Sequence, residues 1–264
     1  MRRLVLAIVT LLTVWPISAT AAAQLTVEGE QFVLITADGR RLTSPDLVGA
    51  ILDVDGPDGM PATIRIDAVS PAAERATALL HALSIRDPEG KWVPLCDADA
   101  HGRKVAFPVA GRWEAGGRYV RDPAKWFLTC TSGSQAKCVL WGYDPWDPRP
   151  AVAAMYQACQ HVARADYDGR GTAHTRDGTA IDIWDSLAIQ TPDPKIGNEY
   201  RFEAGWGPGG AVCVARTRWA DLLPLDVLLT SAPRLAATPC DEAEARRRGA
   251  VIFTRIKPTG TATH

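Results

Sequence analysis

No excess of either charge marks this chain: across 264 residues, 29 lysines and arginines stand against 30 aspartates and glutamates. The basic residues are scattered, so the clustered basic surface of a nucleic-acid-binding protein is missing and nucleic acid is not an expected partner. Beyond the first 15 residues no apolar run approaches the roughly 20 residues that a bilayer requires, and no transmembrane segment is predicted. No cysteine precedes Cys96, which excludes a lipid-anchored N-terminal cysteine. None of the cysteines falls in a CxxC pair, and neither HExxH nor GxSxG occurs, so structural zinc, zincin and nucleophile-elbow chemistry have no motif to stand on. No metal or other cofactor is called for. Low-complexity runs, internal repeats and linkers are also missing, apart from a modest Ala/Arg bias near the C-terminus. The expectation is one compact unit over residues 24–256 with a flexible tail over 257–264.

What is present begins with a leader. Met1-Arg2-Arg3 precedes an apolar run from Leu4 to Trp15 and then Ala21-Ala22-Ala23-Gln24, the pattern of a secretory signal peptide over 1–23, cleaved after Ala23. A periplasmic or extracellular product follows, in an oxidising compartment. There the even count of Cys96, Cys130, Cys138, Cys159, Cys213 and Cys240 predicts disulfides, with fifteen pairings open to sequence reasoning. Cys159 as a nucleophile would need a lowered thiol pKa and an open cleft.

Short apolar runs separated by turn dipeptides predict antiparallel strands at 31–36, 47–54, 63–69 and 77–86, and again at 125–129 and 139–143, with a short helix over 135–141 as the alternative for the last. A hairpin is expected from 200–206 and 211–219 across Gly207-Pro208-Gly209-Gly210. Short helices at 222–229 and 241–248 and a strand at 251–256 complete an α+β fold that is largely antiparallel β with one central amphipathic helix. That helix is read from Val152, Met155, Tyr156, Cys159, Val162 and Ala163, which recur at three- and four-residue intervals, with Asp147 as N-cap and Pro148 in the first turn. A loop of Gly, Asp, Thr and His then leads into a strand at Ile181, Ile183 and Trp184, so that 149–185 forms a helix–loop–strand unit.

Within this unit, RADYDGRGTAHTRDGTAIDIWD is similar to the signature of the ADYC domain, a bacterial exported family. The four signature positions are Ala165, Asp166, Tyr167 and Asp168, with Asp168 where the family has cysteine. DLVGAILDVDG (46–56), WVPLCDADAHGRKVAFPVAGRW (92–113), TCTSGSQAKCVLWGYDPW (129–146) and FEAGWGPGGAVCVARTRW (202–219) also resemble that family. The resemblance implies a fold family and, because the family has no established activity, no catalytic residue.

Three readings of function remain. In the first, the signature is architectural and the chain is a non-enzymatic binding or structural module with an unknown envelope or extracellular ligand; Asp166, Thr175 and His174 then satisfy loop backbone. In the second, His174 is a general base oriented by Asp166 or Asp182 in a hydrolase-like site. In the third, Asp166, Asp168 and Asp177, spaced like the first, third and twelfth places of a calcium loop, hold an ion, although Arg170 intrudes among them. Eight tryptophans follow the leader and are expected mainly as core anchors, with Trp141 and Trp146 in a Pro-rich turn as the exception.

Overall fold

A computed structural model describes residues 23–56, 59–114 and 117–258; the predicted leader, but for Ala23, and most of the predicted tail lie outside the described residues. Strands β1 (Gln24–Glu28), β2 (Gln31–Ile35) and β3 (Arg41–Thr43) form an antiparallel meander. A larger antiparallel sheet follows from β4 (Ile51–Asp55), β5 (Pro61–Pro71), β6 (Leu79–Arg86), β7 (Trp92–Pro94) and β8 (Val105–Ala110). The small pair β9 (Arg112–Trp113) and β10 (Tyr119–Val120) stands apart, and β11 (Trp126–Cys130) closes the larger sheet in the order β11-β8-β6-β5-β4, with β7 also on β6. Helices α1 (Ser134–Leu140) and α2 (Pro150–Arg164) lead to a second sheet of β12 (Ile181–Asp185), β13 (Arg201–Gly207) and β14 (Gly210–Val214). Helices α3 (Leu225–Ser231) and α4 (Glu242–Arg247) precede β15 (Ile252–Ile256), which enters this sheet between β12 and β13.

Helix α2 is where the two parts of the chain meet. Met155, Tyr156, Cys159 and Val162 are fully buried on one of its faces, and burying each such side chain contributes about 1.5–3 kcal/mol. Its Tyr156 ring lies 5.2 Å from Tyr119 and 6.0 Å from Trp113, while Val162, Trp206 and Ile252 belong to the same apolar cluster on the side of the second sheet. A second cluster lies beneath the β1–β3 meander around Phe32, Ile66 and Leu83, and a third joins Trp184 and Phe253 to α4.

The six cysteines pair in consecutive order along the chain, first with second, third with fourth and fifth with sixth. Cys96 bonds to Cys130, Cys138 on α1 to Cys159 on α2, and Cys213 on β14 to Cys240 ahead of α4. Cys159 therefore has no thiol to act as a nucleophile.

Several predicted boundaries are corrected. Helix α2 begins at Pro150, not at Pro148, and Asp147 is not its N-cap: its carboxylate accepts from the amide and guanidinium of Arg149 in the preceding turn. The strand predicted over 47–54 starts only at Ile51. Pro45 and the carboxylate of Asp46, which accepts from the Thr43 amide, first draw Ser44–Leu47 into a 3-10 turn. The alternative at 135–141 holds, since α1 occupies the region where a strand at 139–143 was the first reading. Strand β14 stops at Val214, short of the predicted 219, because the amides of Ala215 and Arg216 both turn to the Glu203 carbonyl.

The signature segment and the groove beside it

The helix that sets the signature ends in a left-handed residue, Ala165 at φ 50°. That turn sends the Asp166 amide back to the His161 carbonyl at 2.9 Å and folds the Asp166 side chain beneath the last turn of α2. There its Oδ2 accepts from His161 Nδ1 and from the Gly171 amide, each at 2.9 Å. The other ring nitrogen of His161 lies 3.0 Å from the Pro208 carbonyl. Both ring nitrogens of His161 therefore face an oxygen of the fold. Burial pushes the Asp166 carboxyl up, but His161, the Gly171 amide and Arg164 together outweigh it and hold the group below the usual range. Asp166 Oδ1 is buried without a partner among the described residues.

Tyr167 points the opposite way, into the second sheet. Its ring stacks on Trp206 with centroids 5.2 Å apart. Its hydroxyl donates to Glu203 Oε1 at 2.7 Å and accepts from the Arg218 amide at 2.6 Å. The Arg218 guanidinium reaches Glu203 through Nε at 3.1 Å and Nη2 at 3.2 Å, and the two side chains are 2% and 0% exposed. Burial, and then the neighbouring Glu203 charge, hold the phenol well above its ordinary pKa, so it stays a neutral donor.

Asp168 and Gly169 bring the segment onto the β13–β14 turn. The Asp168 carboxylate accepts from the Arg170 amide at 3.1 Å, and its carbonyl accepts from Arg234 Nη2 at 2.9 Å. Gly169 sits at φ 76°, where a Cβ would meet the Gly209 carbonyl at 2.2 Å. A Cβ on Gly210 would come within 2.9 Å of the Tyr167 carbonyl. The two backbones cross too closely for any side chain.

His174 is half-buried; its amide donates to the Arg164 carbonyl at 2.9 Å and its Nδ1 lies 3.3 Å from the Ala165 carbonyl. Asp182 accepts from the Asp193 amide at 3.0 Å and pairs with Arg255 Nε at 2.5 Å. Among the described residues neither carboxylate bonds to His174. The partner of Asp166 is instead His161, which the sequence did not single out. Its position on the last turn of α2, five residues before Asp166, was the available signal. Glu203 and Arg218 carried none, because only the β13–β14 hairpin brings them to Tyr167. The three aspartates of the calcium reading are also dispersed in role, with Asp166 against His161 and Asp168 beside Arg170 at 3.6 Å. Among the described residues no group of three or more His, Cys, Asp or Glu is placed to hold a metal ion. One buried serine–histidine contact does occur, Ser44 Oγ to His81 Nε2 at 2.7 Å, but both residues are 0% exposed and out of reach of a substrate.

Two concavities open beside the signature and share Ala100, Lys137 and Trp141 in their walls. One, of about 170 Å³, extends to Glu74 and Arg103; the other, of about 210 Å³, extends to Thr175, Asp177 and Arg218. Asp166, His174 and Asp182 line neither.

No curated protein and no solved structure matches the chain. The family model of the ADYC domain matches residues 44–220, from the 3-10 turn before β4 to the residues just after Arg218, and so takes in the signature, its buried network and both concavities. The chain belongs to the ADYC domain family.

Proposed function

We propose that the chain is an exported, disulfide-stabilised module without catalytic activity, whose signature is architectural and whose role is to bind or to support other envelope or extracellular components. The observation that carries this reading is the closure of the signature network. The polar atoms of His161, Tyr167 and Glu203, one oxygen of Asp166, and the Nε and one Nη2 hydrogen of Arg218 are spent on each other or on backbone within a packed interior. A general acid or base needs reach to a substrate atom, and neither Asp166 nor Asp182 has it, at 1% and 4% exposure. Export is supported by the leader-like residues before Gln24 and by the pairing of every cysteine.

The test is thermodynamic. Removing one partner of a buried hydrogen bond costs about 1–3 kcal/mol because the other is left unpaired. Asp166→Ala and Tyr167→Phe should therefore unfold at clearly lower denaturant, with the cooperativity of the transition kept. Variants as stable as the parent, or more stable, would point to a site held under strain for chemistry and sink the architectural reading.

A further inference from the structure

The two concavities along α1 share Ala100, Lys137 and Trp141 in their walls, and the second is a trough of about 210 Å³ that also takes in Thr175, Asp177 and Arg218. The Lys137 ammonium has no carboxylate or hydrogen-bond partner among the described residues, unlike the other cations of the two concavities. Arg103 is forked onto Glu74 and held by Asp99, and Arg176 pairs with Asp221 while stacking on Trp219. Arg218 is the second element. It is buried, yet it lines the trough, and beyond its bonds to Glu203 it reaches only Thr175 Oγ1, at a long 3.4 Å. A guanidinium has five N–H groups, so each terminal nitrogen keeps one hydrogen without a protein acceptor among the described residues. A free ammonium and a pre-positioned guanidinium beside one indole make a carboxylate site with an apolar floor. The exposed Asp177 carboxylate and the Thr175 hydroxyl on the same wall can accept hydrogen bonds from a hydroxyl-rich ligand.

We propose that this trough binds an acidic saccharide, with a pyranose ring on Trp141, its carboxylate between Lys137 and Arg218, and its hydroxyls toward Asp177 and Thr175. At about 210 Å³ the trough is smaller than the roughly 300–1,000 Å³ usual for ligand sites and so takes one ring of the ligand. The inference deepens the reading of the chain as a non-enzymatic binding module and rests on it for the expectation that the ligand is held and not altered.

Calorimetric titration of the intact, oxidised protein tests it with two disaccharides that differ by one carboxylate, cellobiuronic acid and cellobiose. The acid should bind at least tenfold more tightly. Lys137→Ala should abolish that difference, and Lys137→Arg should restore most of it; circular dichroism checks that both variants are folded. The product mixture after long incubation is then analysed. Recovery of the intact acid supports both the site and the non-enzymatic reading, whereas a cleaved acid keeps the site and overturns that reading. If the folded parent does not prefer the acid, or if it prefers a tripeptide with a free carboxyl terminus, the saccharide site is wrong and the architectural reading of the signature is untouched.

Discussion

Ala165 holds a backbone conformation that glycine usually takes, and its methyl group is fully buried. The left-handed region costs a non-glycine residue about 1–2 kcal/mol. Against this, burying a methyl contributes about 0.8 kcal/mol, and alanine spares about 0.4–1 kcal/mol of unfolded-state entropy relative to glycine. The terms nearly cancel, so Ala165→Gly should leave the denaturant midpoint close to that of the parent. Ala165→Val combines a β-branched residue at positive φ with overpacking worth about 1–3 kcal/mol, and its midpoint should fall clearly below that of the glycine variant. Equal midpoints for the two would mean that the helix end relaxes out of the left-handed turn. Asp168 is explained at the same scale. The six cysteines are already paired among themselves, so a cysteine at 168 would be a seventh without a partner, and the aspartate instead caps the Arg170 amide.

At the scale of elements, the crossing of the signature segment over the β13–β14 turn is the least tolerant contact. A methyl at Gly169 would press into the Gly209 carbonyl, and backbone cannot yield as a flexible side chain can. Gly169→Ala should therefore be among the most destabilising single substitutions in the chain, while Gly171→Ala, with open space around the added carbon, bears only the backbone penalty. Chemical denaturation of the two variants checks the order, and a reversed order would show that the hairpin does not lie against Gly169. The face of α2 was legible in the sequence because it is periodic: Val152, Met155, Tyr156, Cys159 and Val162 are all buried. Strand β12 and the β13–β14 hairpin were legible because alternation and a glycine-rich turn are local signals. Strands β1, β3, β7, β8, β9 and β10 were not: β3, β7, β9 and β10 are two or three residues long, β1 follows the predicted leader directly in sequence, and β8 carries Pro108 within its run, so that they exist through partners that composition does not disclose. The same limit applies to the site. Asp166 and Tyr167 were legible as a motif, but their direction was not, since His161, Glu203 and Arg218 meet them only through the end of a helix and the register of a hairpin.

Over the whole molecule, the three disulfides close successive loops that do not overlap, with sequence separations of 34, 21 and 27 residues. Loop-closure entropy assigns each about 3–4 kcal/mol, so no bridge spans the two main sheets and their association rests on packing around α2. Alkylation of the oxidised protein should add no label, and alkylation after reduction should add six; a label before reduction would break the pairing. Acid stability divides into two windows. Burial holds the fully enclosed His81 at a pKa of about 4, against about 6.5 in an unfolded chain. As pH falls through 6.5 the unfolded chain takes up this proton and the folded one does not, so stability declines from there down to about pH 4, by about 3 kcal/mol in all. Asp99 is also shifted down, but here because its charged form is the one the fold favours. Burial raises its carboxyl, but the Arg103 amide, the Thr131 hydroxyl and the Arg103 guanidinium outweigh it and bring the group down to about 2. Its contribution is intact above the ordinary aspartate pKa and is lost only as pH drops from there toward 2. Unfolding free energy measured from pH 7 to pH 2 should therefore slope first through the histidine window and again below pH 4. His81→Gln should flatten the first slope and leave the second; a parent and variant with parallel profiles between pH 6.5 and 4 would mean that His81 is protonated alike in the folded and unfolded chain, and that water reaches its ring between Ser44 and Phe32.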